Sequence, residues 1–383
     1  MALHKDMTGA NNHVTHSWSP ADAAARTAIS VVAADVGKIA LQLDTQIPYM
    51  LVDDSPVVWQ SLVNAGGSST PSGFNPIINS TCLISQRGTS FAAVGPTLDM
   101  WRTIALGTGA TGFAVAQTDA ITLAGLSYPF KKLLTWDRTA GTTLSTIDNR
   151  IEDARTFAGK TVTLSFDAYC ATGTVAMGCR LDQYFGSGGA PSATVASTQE
   201  SVTLTTTPQR FTKTFALASV AAKTFGTADD SSLQIVFDSP AAGAFGIRMT
   251  GLRLDEGSVA GVCGYIDPAT ELAKCKRYQP SISGAGPIST AWCSSTTTAF
   301  AEILYVVTPR VKPTGISVIA SSHYGVFNSA GAYVTASSVV FNDASLTSGR
   351  VLVTVASGLV AGAATGFRSD TAGSLLLFTG CTL

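Results

Sequence analysis

Five residues in two adjoining segments have the types and the spacing to bind a sugar: Asp167 and Tyr169 in the first, Arg180, Asp182 and Tyr184 in the second. In the first segment Val162, Leu164, Phe166 and Ala168 alternate with Thr161, Thr163, Ser165, Asp167 and Tyr169, the period of two of a half-buried strand. In the second, Val175, Met177, Cys179 and Leu181 form the apolar set. The intervening Ala171-Thr172-Gly173-Thr174 has the length and the glycine of a tight turn, so the sequence predicts a hairpin. Its register would set Cys170 opposite Val175, Ala168 opposite Met177, Phe166 opposite Cys179 and Leu164 opposite Leu181, which brings the two apolar faces together. The other face then gathers Tyr169, Tyr184, Asp167, Arg180 and Asp182. Aromatic rings cover the apolar C–H face of a pyranose, and carboxylate and guanidinium groups bond its hydroxyls. These five are the candidate glycan-binding residues. The same pattern also describes a solvated sheet face, or one buried against another subunit.

Catalytic chemistry finds no comparable support. Glycosidases need two carboxylates about 5 to 10 Å apart across a cleft. The adjacent pairs Asp53-Asp54, Asp229-Asp230 and Asp255-Glu256 lie in or beside turns, and neighbours along a strand point to opposite faces. No GxSxG or HExxH occurs, and the glycine-rich Gly186–Ser192 lacks the lysine and following helix of a phosphate loop. No long β-helical repeat is visible either. The expectation is a protein without enzymatic activity, cofactor or metal, since only His4, His13, His16 and His323 could join a zinc site and their spacing fits none. Seven cysteines at irregular spacing read as free, buried thiols.

The 383-residue chain has room for two or three domains. Charged residues make up 13%, about half the usual ~25%, and the mean hydropathy is +0.27. A surface so poor in charge points to burial in an assembly. A net charge of −1 with no basic stripe argues against nucleic-acid binding. No apolar run reaches the ~18 residues of a membrane span, so membrane insertion is not expected. The N-terminal stretch has no apolar core of signal-peptide length, which argues for folding in the cytoplasm where the chain is made.

The segments FNPIINSTCLISQRGTSF (74–91), DMWR (99–102), RIEDARTFAGKTVTLSF (150–166), QYFGSGGAPS (183–192), TTTPQRFTKTFAL (205–217) and GLRLDEGSVA (251–260) come in an order that resembles the carbohydrate-binding-module-like jelly roll of bacteriophage tail fibre and related virion proteins. CKRYQP (275–280) is similar to the Cys-x-Arg-Tyr-Tyr segment that follows it there, with Gln279 in place of the second tyrosine. The resemblance covers roughly residues 74 to 280. It implies an antiparallel β-sandwich on a virion and names no ligand.

The expected fold class is therefore all-β: an antiparallel jelly-roll β-sandwich with a small N-terminal β-meander and a C-terminal β-sandwich domain. An N-terminal arm and attachment meander would occupy 1–66, with strands at Ile39–Leu43, Tyr49–Val52 and Val57–Leu62. A Gly- and Ser-rich linker would occupy 67–73, the jelly roll 74–265 and a connecting helix 266–280. Asp267 as N-cap and Pro268 at N1 mark the start of that helix. A C-terminal domain would fill 281–383, with strands divided by glycine and serine turns. The expected role is a tail fibre or receptor-binding protein on the phage particle surface, active in host adsorption. It would be a homotrimer, contacting other tail or capsid proteins through its N-terminal region and a host surface glycan beyond it. A head fibre or capsid-decorating protein is the alternative, and a secreted bacterial carbohydrate-binding module a more distant one.

Overall fold

A computed structural model describes residues 17–44, 47–61, 74–120 and 124–383. The expected arm with His4, His13 and His16 and the linker 67–73 lie outside the described residues. The chain divides into two compact units, Met1–Thr70 with Gly257–Val259, and Pro71–Glu256 with Ala260–Leu383.

The first unit holds one helical turn, α1 (Ala23–Thr27), opened by Asp22, whose carboxylate accepts from the Ala25 amide at 2.8 Å. The meander is β1 (Ile39–Gln42), β2 (Ile47–Asp54) and β3 (Val57–Ser61), in that order across one sheet. Such a sheet has little core of its own. Ala40 and Leu51 are fully buried in it, and Trp18 meets Trp59 edge to face at 5.5 Å.

The second unit begins with the strands β4 (Ser90–Phe91), β5 (Gly95–Pro96), β6 (Trp101–Ala105), β7 (Ala114–Asp119), β8 (Lys132–Arg138), β9 (Thr146–Glu152), β10 (Thr161–Cys170), β11 (Val175–Tyr184), β12 (Val195–Ala196), β13 (Glu200–Leu204), β14 (Gln209–Ala216), β15 (Ser232–Asp238) and β16 (Phe245–Glu256). They form two antiparallel sheets, one ordered β14-β10-β16-β8-β7-β4, the other β12-β11-β15-β9-β6-β5 with β13 also on β11. Between them lies one core, in which Phe166 meets Phe237 edge to face at 5.3 Å and Trp136 meets Phe245 at 5.0 Å. The result is the expected all-β sandwich.

The predicted hairpin does not form. Both strands run where expected, and Val162, Leu164, Phe166, Ala168, Met177, Cys179 and Leu181 are all buried in the core. But β10 pairs with β14 and β16, placing Phe166 opposite Phe211, while β11 pairs with β12, β13 and β15, placing Cys179 opposite Phe237. Residues 171–174 are thus an arch from one sheet to the other. Agreement of the two apolar faces is equally satisfied by strands that face one core from opposite sides, so it could not choose between hairpin and arch.

α2 (Pro268–Tyr278) follows, with Asp267 capping the Thr270 amide at 2.8 Å and Pro268 in its first turn. The remaining strands are β17 (Ser281–Ser283), β18 (Gly286–Cys293), β19 (Thr298–Leu304), β20 (Gly315–Val318), β21 (Tyr324–Phe327), β22 (Tyr333–Ala344), β23 (Ser348–Val355), β24 (Ala364–Ser369) and β25 (Leu375–Thr379). The expected C-terminal β-sandwich takes a more closed form. Its main sheet, β18-β19-β23-β22-β21-β24, closes into a barrel, and the small sheet β17-β25-β20 contributes Leu376 and Phe378 to the same core. Alternation specifies an inner and an outer face but is silent on whether the last strand returns to the first. All seven cysteines are buried and free.

Candidate functional site

Because β10 and β11 belong to opposite sheets, the five candidate residues divide between opposite sides of the sandwich. Asp167 and Tyr169 lie on the outer face of the six-stranded sheet; Arg180, Asp182 and Tyr184 lie on that of the seven-stranded sheet. The single strip expected from the hairpin is not present.

On the six-stranded sheet Asp167 is fully buried and its acceptor sites are filled. Oδ1 accepts from the Ser127 amide at 2.8 Å, and Oδ2 accepts from Ser127 Oγ at 2.7 Å and Arg210 Nη1 at 2.5 Å. Arg210 also donates to Ser165 Oγ at 2.7 Å and to the Gly251 carbonyl at 3.1 Å. Gly251, at φ +64°, sits where a Cβ would collide with the Phe130 ring and press on Asp167. Asp167 therefore straps the loop around Ser127 onto the sheet and has no edge left for a ligand. Tyr169 is half-buried opposite Arg248, and burial pushes its phenol above the usual range, with the nearby guanidinium opposing.

The outer face of the seven-stranded sheet is different. Strand register aligns Arg180, Val236, Asp148 and Arg102 in one row and Asp182, Gln234 and Arg150 in the next, with Tyr184, Ser232 and Glu152 beyond. Asp148, fully buried, accepts from Arg150 Nε at 2.8 Å and from Arg102 Nε at 3.4 Å. Arg180 Nε reaches both oxygens of Asp182 at 3.1 and 3.2 Å, its Nη1 donates to Asp238, and Asp238 also accepts from Thr146 Oγ1 at 2.7 Å. The Arg150 guanidinium stands 5.6 Å from the centre of the Tyr184 ring. Loss of water pushes the Asp148 carboxyl up to about 6, against the pull of Arg102 and with a further push from the charge of Asp182. Asp182 is raised by burial too, opposed by Arg180.

Three arginines thus face three aspartates, leaving a surface with no net charge and with donors and acceptors held in fixed directions. Arg180, Arg102 and Tyr184 remain partly open to solvent. Beside Arg102 and Arg150 the face runs into a cavity of about 310 Å³, whose wall includes Arg87, Asp99, Tyr278 and Gln279. Arg277 Nη2 and the Tyr278 hydroxyl reach Glu152 at 2.9 and 2.6 Å, fixing α2 to the edge of this face. Sequence reasoning misses Arg102, Asp148, Arg150 and Gln234. The available signal is the alternation of Ile147, Asn149 and Ile151 with Asp148, Arg150 and Glu152, whose polarity hides a central strand.

No protein-family model matches the chain, and a search of curated proteins finds no match. Among solved structures it is similar to the N-terminal cellulose-binding domain of the Cellulomonas fimi β-1,4-glucanase C (20% identity, 46% of this chain and 99% of that one, TM-score 0.29). It is similar also to a family 11 carbohydrate-binding module of Clostridium thermocellum in complex with a β-1,3-1,4-mixed-linked tetrasaccharide (12% identity, 45% and 97%, TM-score 0.29). A third likeness is to the enzymatically active domain of tailspike protein 4 of bacteriophage CBA120 (13% identity, 48% and 21%, TM-score 0.31). At these identities and TM-scores the likenesses carry no argument, and the β-sandwich rests on the strand topology itself.

Asp167→Ala leaves Arg210 without its carboxylate and is expected to cost about 3 kcal/mol or more in a denaturant titration. Stability within a few tenths of the parent would return Asp167 to the ligand-binding candidates. For Asp148 the sign of the pH dependence is set by a folded-state pKa, about 6, above the ordinary 3.8. The folded state then binds the proton first, so this group's contribution to stability improves as pH falls from 7 to 4 and is lost as pH rises through 6. The stability difference between the parent and Asp148→Asn, followed by thermal melts across that window, should shift in the parent's favour on acidification. A flat difference would mean that Arg102 and Arg150 keep the carboxylate ionised.

Proposed function

We propose that this chain is a non-enzymatic structural protein of a bacteriophage particle, a tail fibre or receptor-binding protein, and that the outer face of its seven-stranded sheet contacts a host surface glycan. The observation that carries the glycan reading is that face itself: Tyr184 offers a ring, Arg180 and Arg102 lie partly exposed on the same face, and with Arg150 they are balanced by Asp148, Asp182 and Asp238, with Gln234 among them. Sugar hydroxyls both donate and accept, so a surface that mixes fixed donors and acceptors suits them better than one of a single sign. The phage assignment is supported by the order of segments across residues 74 to 280, and with it the particle surface as location and the N-terminal meander as attachment point.

Tyr184 and Tyr169 separate as test residues. Tyr184→Ala should weaken binding by about 1 to 2 kcal/mol on a glycan array probed with the whole chain, and reduce adsorption of particles carrying it. Tyr169→Ala, on the opposite sheet, should leave binding unchanged. Equal losses in both, or none in either, would sink this placement of the site.

A homotrimer is part of the same reading, because a chain with only 13% charged residues and a meander with little core both call for partners. Light scattering of the full chain at micromolar concentration should return three times the monomer mass. A monomer would remove the oligomer argument.

A further inference from the structure

The barrel carries an aromatic strip that the sandwich site does not use. On β19 and β23 the inward positions Ala299, Ala301, Val351 and Val353 are completely buried, and the outward positions form alternating rows. Register aligns Trp292, Phe300, Leu352 and Val340 across β18, β19, β23 and β22. Trp292 is 49% exposed and Val340 45%, and the Trp292 and Phe300 rings lie 4.8 Å apart with 36° between their planes. On its other side Trp292 has Ala364 as cross-strand neighbour, too small to cover the second face of the indole.

The rows on either side of this strip are polar. One is Thr298, Thr354 and Ser338; the other is Glu302, Arg350 and Asp343. Outward rows recur about every 7 Å along a strand, so the apolar strip is one side chain wide and about 14 Å long across four strands. A stable protein interface buries about 800 Å² per partner, far wider than this strip. A narrow apolar line bordered by hydrogen-bonding rows instead matches a short saccharide, whose rings have apolar faces and hydroxyls at their rims. Arg350 joins the two features. Its guanidinium stands 5.4 Å from the centre of Phe300, it donates to Asn342 Oδ1 at 2.7 Å, and it lines a cavity of about 170 Å³ with Glu302, Asp343, Ser345 and Ser348. Glu302 accepts from Ser348 Oγ at 2.7 Å, and Lys312 lies 3.3 Å from Asp343. Two cations and two carboxylates offset one another, which favours an uncharged ligand.

We propose that the outer face of the barrel is a second saccharide-binding surface, for an uncharged oligosaccharide, with Trp292 and Phe300 as stacking platform and Glu302, Arg350 and Asp343 as hydroxyl-binding rim. It stands on observations separate from those behind the sandwich site.

The test uses the full chain on an array of neutral polysaccharides and oligosaccharides (β-glucans, xylan, mannan, dextran and neutral bacterial O-chains), comparing the parent with Trp292→Ala, Trp292→Phe and Tyr184→Ala. At least one glycan should lose about tenfold or more in affinity with Trp292→Ala, the scale of one lost anchoring contact, recover with Trp292→Phe and be indifferent to Tyr184→Ala. Because Trp292 is half exposed, the melting temperature of Trp292→Ala should stay close to the parent's, so that a binding loss is not a folding loss. An array on which no glycan loses affinity with Trp292→Ala, or a parent that binds nothing on it, overturns the barrel site. So does a Trp292→Ala variant that changes mass by light scattering with glycan binding intact, which would make the strip a contact between copies of the chain.

Discussion

Arginine–aspartate pairing across two positions of one strand is the constraint on which both outer faces of the sandwich depend. A strand returns side chains to the same face every second residue, so Asp148 with Arg150, Arg180 with Asp182 and Arg253 with Asp255 meet without help from any neighbour. All three aspartates are nearly or fully buried. An unpaired carboxylate there would be several kcal/mol too costly to keep, whereas a paired one allows the sheet's outer face to be covered by chain as well as its inner face. The loop around Ser127 laid over Asp167, which pairs with Arg210 across strands, and the segment at Gly261 whose amide meets Asp255 at 2.8 Å, are both fastened to charges that pairing first made tolerable.

The same device leaves different groups exposed on the two outer faces. On the six-stranded sheet Asp167 with Arg210 and Arg253 with Asp255 are buried and spend their hydrogen-bonding capacity within the fold, while Arg248 with Asp137 stays partly exposed near Tyr169. On the seven-stranded sheet Arg180, Arg102 and Tyr184 remain partly exposed above buried partners, so their directions are fixed before any ligand arrives. Preorganisation of this kind lowers the ordering cost of binding. On the barrel the aromatic row rests on a core of small and β-branched residues and the charged row lies in solvent.

Gln279 connects these regions. Its side-chain amide donates to the Phe378 carbonyl at 2.6 Å, its side-chain oxygen accepts from Arg87, and its carbonyl accepts from Gln86 at 3.2 Å. With Arg277 and Tyr278 held on Glu152, the short CKRYQ segment is fastened to the sandwich and to the small C-terminal sheet at once. A tyrosine side chain in place of Gln279 has no amide to divide between Arg87 and Phe378, which gives the departure from the resembled segment a physical content.

Strand extents, buried sets and the capped helix are legible in the sequence, because each follows from relations between residues a few positions apart. Val162 to Cys170 and Val175 to Leu181 can be read for that reason, as can Asp267 and Pro268 at the start of α2. Sheet membership is not legible. The four residues between β10 and β11 close a hairpin or cross a core equally well, and both solutions bury the same side chains. That single ambiguity decides the site: a hairpin would place Tyr169 beside Tyr184, and the arch sets them on opposite faces. β9 escapes notice because Asp148, Arg150 and Glu152 make it too polar for a central strand when read alone. Only in the folded chain do Arg102 from β6 and Arg277 from α2 arrive to neutralise it, and long-range partners of that kind leave no trace in local alternation.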